Sequence, residues 1–449
     1  MKKLCMLMAV ILLFSFAFTS CGLFKPSDAE SLMKRIDKAM SKVYSYKIEN
    51  KMNMTFYSDR SPIVITATGE TIAIESKDDN YYYDSLTTKV ESAALELDEE
   101  TTSIMAYNDG KMFSSSTGAD LDQKLCSSLD FEEFEEFLSD EGMEISDLFG
   151  GDNIELNEKE DGGWKLKYSE FSKEKIDDLV EKIGINDLGY DFSAKDVNTT
   201  VECNKKYRVE KIKMSVVFEE LEVNVLPSFE MEMNYSDYDE AERITNTINP
   251  ADYQEVDDVR IIYEIEDMID DKKDSDEGSF SLNISQTVKY GTKTIGSSRE
   301  NSKVNYGKED GKYYYSISSS VNGEKVTINY KDGTTTGSHS EATENTDREA
   351  KAVINALIDG TGYSASRVTK IEKVSNRVYK MAVSVPMSSF REMFDGMNVT
   401  YNYSKCEITV TLGEDKIEKI SSSMTINFKV EGNPYRIDYE SSLSFYVEA

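Results

Sequence analysis

Residues 80–88 read NYYYDSLTT, and residues 311–320 read GKYYYSISSS. In the second stretch the alternation is clean. Tyr313, Tyr315 and Ile317 fall on one side and Tyr314, Ser316 and Ser318 on the other, the period of a half-buried antiparallel strand. The turn before it, KEDGK, belongs to a set with YNDGK, EDGGW, VNGEK and YKDGT, the dipeptides that tight hairpins demand. Both tyrosine triplets therefore read as strand residues, with an aromatic wall facing a ligand as the alternative.

Outward from the triplets the chain keeps repeating itself. AYNDGKMFSSSTG at 106–118 parallels NYKDGTTTGSHS at 329–340, and WKLKYS at 164–169 parallels YKMAVS at 379–384. TVEC and RVEKIKMSVVF, within 200–218, parallel TVTL and KIEKISSSMTI, within 409–426. The order is preserved and the spacing between counterparts shortens steadily, as in a duplicated unit whose first copy has slightly longer loops. Helices are few. Ser27–Asp28–Ala29–Glu30 reads as a capping box ahead of the stripe Leu32, Ile36, Met40 and Val43. DFEEFEEFLSDE at 130–141 places Phe131, Phe134, Phe137 and Leu138 on one face, and DREAKAVINALIDG at 347–360 does so with Ala350, Val353, Ile354 and Leu357. Two short helices are expected at 171–183 and 387–397, and EVDDVRIIYEIEDMI at 255–269 suits either a helix or a strand. The expected fold is α+β: two tandem repeats, each a curved antiparallel sheet with two or three helices packed on one face. The units would span 27–245 and 276–449, with 246–275 as a linker or the start of the second unit.

The N-terminus carries its own signal. Lys2 and Lys3 precede an apolar run from Leu4 to Phe18, too short for a ~30 Å bilayer core and suited to a secretory signal over residues 1–20. FTSC at 18–21 resembles the lipobox of bacterial lipoproteins, which implies a diacylglycerol on Cys21 and cleavage before it. Two or more acyl chains suffice for a stable anchor on the extracytoplasmic face of a cell membrane. Residues 21–26 would be the lipidated cysteine and a short tether. Extended, Gly22 to Pro26 reach roughly 15–20 Å, which would seat the first unit near the bilayer. With 84 acidic against 51 basic residues and a net charge of −33, the surface repels nucleic acid and anionic headgroups, so the anchor must supply the membrane affinity. Cys126, Cys203 and Cys406 remain as a sparse, odd set, read as small buried hydrophobes or as one 126–203 bridge.

Chemistry is thin. His339 is the one histidine and lies in a Ser/Thr/Gly-rich loop, and no nucleophile elbow, phosphate loop or zinc motif is present. DDKKDSDEGS at 270–279 fails the calcium-loop spacing, because Lys273 falls where the first acid is required. Neither catalysis, a cofactor nor a metal site is expected. The lipobox, the capped helix and the succession of hairpins together resemble the LolA/LppX-like group of bacterial lipoproteins. That resemblance implies half-barrel sheets curled around helices over an apolar cavity, and the carriage of lipids; one relative senses lipid-tailed molecules to control an anti-sigma factor. It places a lipid or other apolar ligand against Tyr81, Tyr83, Tyr313 and Tyr315, with Phe134 as part of a lid. The alternative is an envelope surface protein with filled cores that binds another protein or wall polymer.

Overall fold

The computed structural model describes residues 26, 28–58, 61–76, 80–93, 97–118, 121–140, 153–176, 194–218, 227–244, 248–309, 311–338, 340–360, 362–384, 399–414 and 416–446. The expected signal segment, Cys21, His339, the expected helix at 387–397 and most of that at 171–183 lie outside them. The chain divides into two compact units, Met1–Ala119 with Cys126–Tyr253, and Asp120–Leu125 with Gln254–Ala449.

The first unit begins with helix α1 (Ala29–Met40). Six strands follow in the chain: β1 (Ser45–Ser58), β2 (Ser61–Glu75), β3 (Asn80–Ser92), β4 (Leu97–Asn108), β5 (Lys111–Gly118) and β6 (Leu121–Ser128), the last with its first five residues counted in the second unit. Helix α2 (Phe131–Asp140) leads to β7 (Asn153–Glu158), β8 (Trp164–Ser169), β9 (Ala194–Cys203), β10 (Val209–Phe218) and β11 (Ser228–Ser236). After the two-residue β12 (Gln254–Glu255), the second unit runs the same course. Helix α3 (Ile261–Asp274) precedes β13 (Gly278–Tyr290), β14 (Lys293–Glu309), β15 (Lys312–Val321), β16 (Glu324–Lys331), β17 (Thr334–Gly337) and β18 (Ser340–Glu344). Helix α4 (Asp347–Asp359) then leads to β19 (Val368–Ser375), β20 (Val378–Val383), β21 (Val399–Leu412), β22 (Ile417–Val430) and β23 (Asn433–Phe445).

Both sheets are antiparallel meanders closed by the same device. The order of the 12-stranded sheet is β12-β6-β5-β4-β3-β2-β1-β11-β10-β9-β8-β7, and that of the 11-stranded sheet is β18-β17-β16-β15-β14-β13-β23-β22-β21-β20-β19. In each unit the first long strand pairs with the last, Lys47 opposite Ser236 and Phe280 opposite Phe445. The hairpins use the expected chemistry. Asp109–Gly110, Asn322–Gly323, Asp332–Gly333 and Glu431–Gly432 hold both residues at positive φ, the twist that matches the flanking strands.

This architecture corrects the α+β expectation. The protein is built mostly of strands in two large sheets, and it is not a pair of sheets each layered by helices on one face. The reason is one of reach. The four long helices among the described residues, of 10–14 residues, span roughly 15–20 Å each. A strand of 14 residues such as β1 runs about 45 Å, so helices this short cannot layer sheets of this width.

Locally, helix chemistry is close to expectation but shifted. The N-cap of α1 is Asp28, which accepts from Ser31 N at 2.8 Å in a capping box closed by Ser31 rather than Glu30. Leu32, Ile36 and Met40 are buried as the stripe requires. In α4 the box is Thr346 with Glu349, and the buried row is Ala350, Ile354 and Ile358, leaving Val353 exposed. The residues 261–274, ambiguous in sequence, are helical because Ile261, Ile262, Ile265 and Ile269 form one buried row. Cys126, Cys203 and Cys406 are buried as thiols and form no disulfide.

Gly69 shows how close the packing is. A Cβ there would lie 2.5 Å from the Ser85 carbonyl oxygen, a backbone atom that cannot move aside. Gly69→Ala should destabilise the fold by about 1–3 kcal/mol in urea denaturation.

Candidate functional site

Cross-strand partners in an antiparallel ladder share a face, so the registers say where each tyrosine goes. Tyr83 lies opposite Ile72 and Ala106, and Ala106 opposite Phe113. These residues, with Tyr81 and Cys126, form a small core covered by Ala241, Ile244, Ile248 and Tyr253. Arg243 stands 5.3 Å over the Tyr81 ring and donates to Asn108 Oδ1 at 2.7 Å, while Tyr253 meets Phe113 edge-on at 5.2 Å. Tyr81 and Tyr83 are therefore roofed by the segment after β11. The sequence signal was Ala241, Ile244 and Ile248 at helical-like spacing in a stretch not assigned to a core.

Tyr82 goes the other way. It pairs with Tyr107, and both rings meet Phe134 of α2, at 5.4 and 5.1 Å. Phe134 thus belongs to the middle tyrosine and lies on the face opposite Tyr81 and Tyr83. The expected constellation of Tyr81, Tyr83 and Phe134 is not brought together.

In the second unit the phase is reversed. Tyr315 stacks on its partner Tyr330 at 5.7 Å, and the Tyr330 hydroxyl donates to Asp347 at the start of α4. Tyr313 N donates to the same carboxylate at 3.1 Å, and these two bonds hold Asp347 below the usual carboxylate range. Tyr82 and Tyr107 of the first unit correspond in position to Tyr315 and Tyr330, because Tyr107 and Tyr330 each precede an Asn/Lys–Asp–Gly turn. The triplets, aligned letter for letter, are one residue out of step in the fold. All five of Tyr81, Tyr83, Tyr82, Tyr313 and Tyr315 are at most 5% exposed.

The register also uncovers a set of residues that the sequence did not flag. One row of the first sheet, on the face carrying Ile48, runs Tyr235, Ile48, Thr71, Asp84, Met105, Ser114. Asn50 sits one step along on the same face, and Tyr82 one step back. Asn50 Nδ2 donates to Thr71 Oγ1 at 3.2 Å, and Thr71 Oγ1 donates to Asp84 Oδ1 at 2.6 Å. Asn50 and Asp84 are buried, and among the described residues Asn50 Oδ1 and the hydroxyls of Tyr82 and Tyr235 have no hydrogen-bond partner and no cation pairs with Asp84. Burial pushes the Asp84 carboxyl up to about 7 against the opposing pull of Thr71. Glu135 of α2 is likewise pushed up to about 7, by burial and then by Glu75 and Glu132.

The second sheet is built differently at the matching positions. Leu282, Val304 and Ile317 stand where the first has Asn50, Thr71 and Asp84. Its own polar belt is further along, where Ser302 meets Ser319 at 2.7 Å and Glu300 at 2.6 Å, and Ser422 meets Ser441 at 2.6 Å. There the first sheet has Gly69, Leu86, Ala67, Met214 and Met231. Among the described residues, no three His, Cys, Asp or Glu side chains gather as a metal site, and no helix is long and apolar enough to cross a membrane.

Comparisons with known proteins add names but no assignment. No family model matches the chain, and no curated protein does. Among solved structures, a DUF1329 family protein from Desulfovibrio piger overlaps with a TM-score of 0.18 at 10% identity, over 43% of this chain and 95% of its own. A LolA superfamily protein from Nitrosomonas europaea gives 0.15 at 10%, over 41% and 94%. Transferrin Binding Protein B from Haemophilus parasuis gives 0.16 at 7%, over 91% and 76%. Overlaps this low fix no common fold and bring no function to this chain.

Two outcomes follow from the buried polar groups. Tyr82→Phe removes an unpartnered hydroxyl and should leave stability unchanged or raise it, whereas Tyr330→Phe, losing the bond to Asp347, should cost about 1 kcal/mol in the same denaturation assay. For Asp84 the folded value lies above the ordinary 3.8, so folding is unhindered by this group below about pH 4 and penalised increasingly as pH rises to about 7. Asp84→Asn should be about 2–4 kcal/mol more stable than wild type at pH 8, with the gap closing near pH 4.

Proposed function

We propose that this chain is a non-enzymatic bacterial lipoprotein, anchored through Cys21 to the extracytoplasmic face of the cell membrane, that binds a lipid or other apolar ligand on the Ile48 face of its first sheet. One observation supports the binding reading above the rest. From Met52 outward, beyond Asn50, this face is apolar on four adjacent strands, in one buried cluster with Leu32, Ile36 and Met40 of α1. Met52, Met54 and Phe56 lie on β1 and Ile63, Ile65 and Ala67 on β2, with Phe229, Met231 and Met233 on β11 and Met214, Val216 and Phe218 on β10. Unbranched, polarizable methionines re-pack around differently shaped apolar partners more readily than branched side chains. The second sheet does not repeat the field, since Gln286, Ser422 and Ser441 stand where the first has Met54, Met214 and Met231.

A second reading has its own support. The tyrosines first considered as a ligand wall are closed off by neighbouring side chains, which is what a filled core would show. On that reading the protein is an envelope surface protein that meets another protein or wall polymer.

The deciding measurement is native mass spectrometry of the mature chain carrying Cys21→Ser, followed by organic extraction. A co-purifying species of lipid mass, or a stoichiometric adduct with added lipid, is the expected result. An empty chain that takes up none of the lipids offered would favour the filled-core reading. Loss of acyl-chain labelling in Cys21→Ser cells would test the anchor separately.

A further inference from the structure

The buried polar row of the first sheet asks for a partner that the chain itself does not provide. Asn50 Oδ1 and the Tyr82 hydroxyl have no hydrogen-bond partner, and each buried polar atom left so costs free energy that a partner would return. The neutral Thr71 hydroxyl donates to Asp84. Buried carboxylates are normally paired with a cation, yet among the described residues no lysine or arginine contributes to the environment of Asp84. Other acids lie in the same part of the unit. Glu75 lies exposed at the end of β2 on this same face, and Glu75 and Glu132 act on Glu135 of α2.

The fold does not require these polar groups. At the matching positions of the second sheet Leu282, Val304 and Ile317 occupy the same kind of strand pairs, so an apolar solution exists within this very chain. The three polar residues therefore carry a cost that the duplicate avoids. They also adjoin the methionine field directly: Met52 follows Asn50 on β1, and Met233 faces Asn50 across the β1–β11 pair.

We propose that Asp84, Asn50 and Tyr82 form the polar end of the ligand site and receive the protonated amine of an amphiphile whose apolar tail lies along the adjoining methionine field. An ammonium group has three N–H donors and no acceptor, which suits a carboxylate, an amide carbonyl and a phenol that share one face of the sheet. Thr71 acts as a positioning residue, fixing one carboxylate oxygen and, through Asn50 Nδ2, turning the amide so that its carbonyl is the free end. This inference rests on the ligand-binding reading above and specifies its head group.

The test is titration calorimetry at pH 8 on the mature chain carrying Cys21→Ser, with decylamine, decanol and ethylamine, each below its aggregation concentration. Decylamine should bind at least about tenfold tighter than decanol, the margin a charge-assisted hydrogen bond supplies, and ethylamine weakly. Asp84→Asn, which keeps the shape, should remove the preference for the amine over the alcohol. The triple variant Asn50→Leu, Thr71→Val, Asp84→Ile, which copies the second sheet, should do the same. Equal binding of decylamine and decanol to wild type, or a preference undiminished in Asp84→Asn, overturns the head-group assignment while leaving apolar binding intact. Tight binding of ethylamine with no gain from the decyl chain overturns the shared site. Failure of all three to bind overturns both this inference and the ligand-binding reading beneath it.

Discussion

Each sheet depends on one non-local contact, the pairing of its first long strand with its last. Without the ladder between β1 and β11 the first unit would be two separate meanders, β1 to β6 and β7 to β11, each with an exposed edge. The same holds for β13 and β23. Closing a loop of this length costs only slightly more than closing one half as long, because loop entropy grows with the logarithm of length. What secures the closure is the continuity of side chains across the seam. Ile48 meets Tyr235 and Met52 meets Met231 in one unit; Phe280 meets Phe445 and Leu282 meets Leu443 in the other.

The duplicate pattern of six strands, a helix and five strands gives an internal control rarely available in a single chain. Positions required by the fold are the same in both sheets, and positions that differ are free to serve something else. By that standard the Asp–Gly turns after Tyr107 and Tyr330 are fold, and so is the aromatic pair that Tyr82 and Tyr315 each make with the neighbouring strand. The polar residues are not. The first sheet is polar near its α2 end and apolar further along, while the second is apolar near α4 and lined with serines beyond. Two copies of one framework have been given opposite internal chemistries.

Much of this was legible in the sequence, and the losses have identifiable causes. Turns were readable because positive φ restricts the residue types that serve. Helix stripes were readable because their period differs from that of strands, as Leu32, Ile36 and Met40 show. The triplet was legible as a strand but not by face, because alternation identifies faces only when one face is wet. Tyr81, Tyr82 and Tyr83 are all buried, two under the segment after β11 and one under Phe134, so the pattern offers no clue to which is which. Asp84 was invisible for a different reason: among 84 acids, only the register shows that this one shares a face with Ile48 and Leu86. The balance of helix and sheet was misjudged because the helices announce themselves by caps and stripes, whereas the width of a sheet is a property of pairing and is written nowhere locally.

The seam has a mechanical consequence. Because β1 and β11 run antiparallel, with Lys47 at the start of one opposite Ser236 at the end of the other, the chain comes into and goes out of the first unit at the same end of the same ladder. Tension along the backbone would therefore open that ladder like a zipper, one rung at a time, instead of shearing all its bonds together. Once α1 and the segment after β11 have been drawn off their packing, a pair connected this way yields at low force and re-zips when released, and the strands that part are those that carry the methionines.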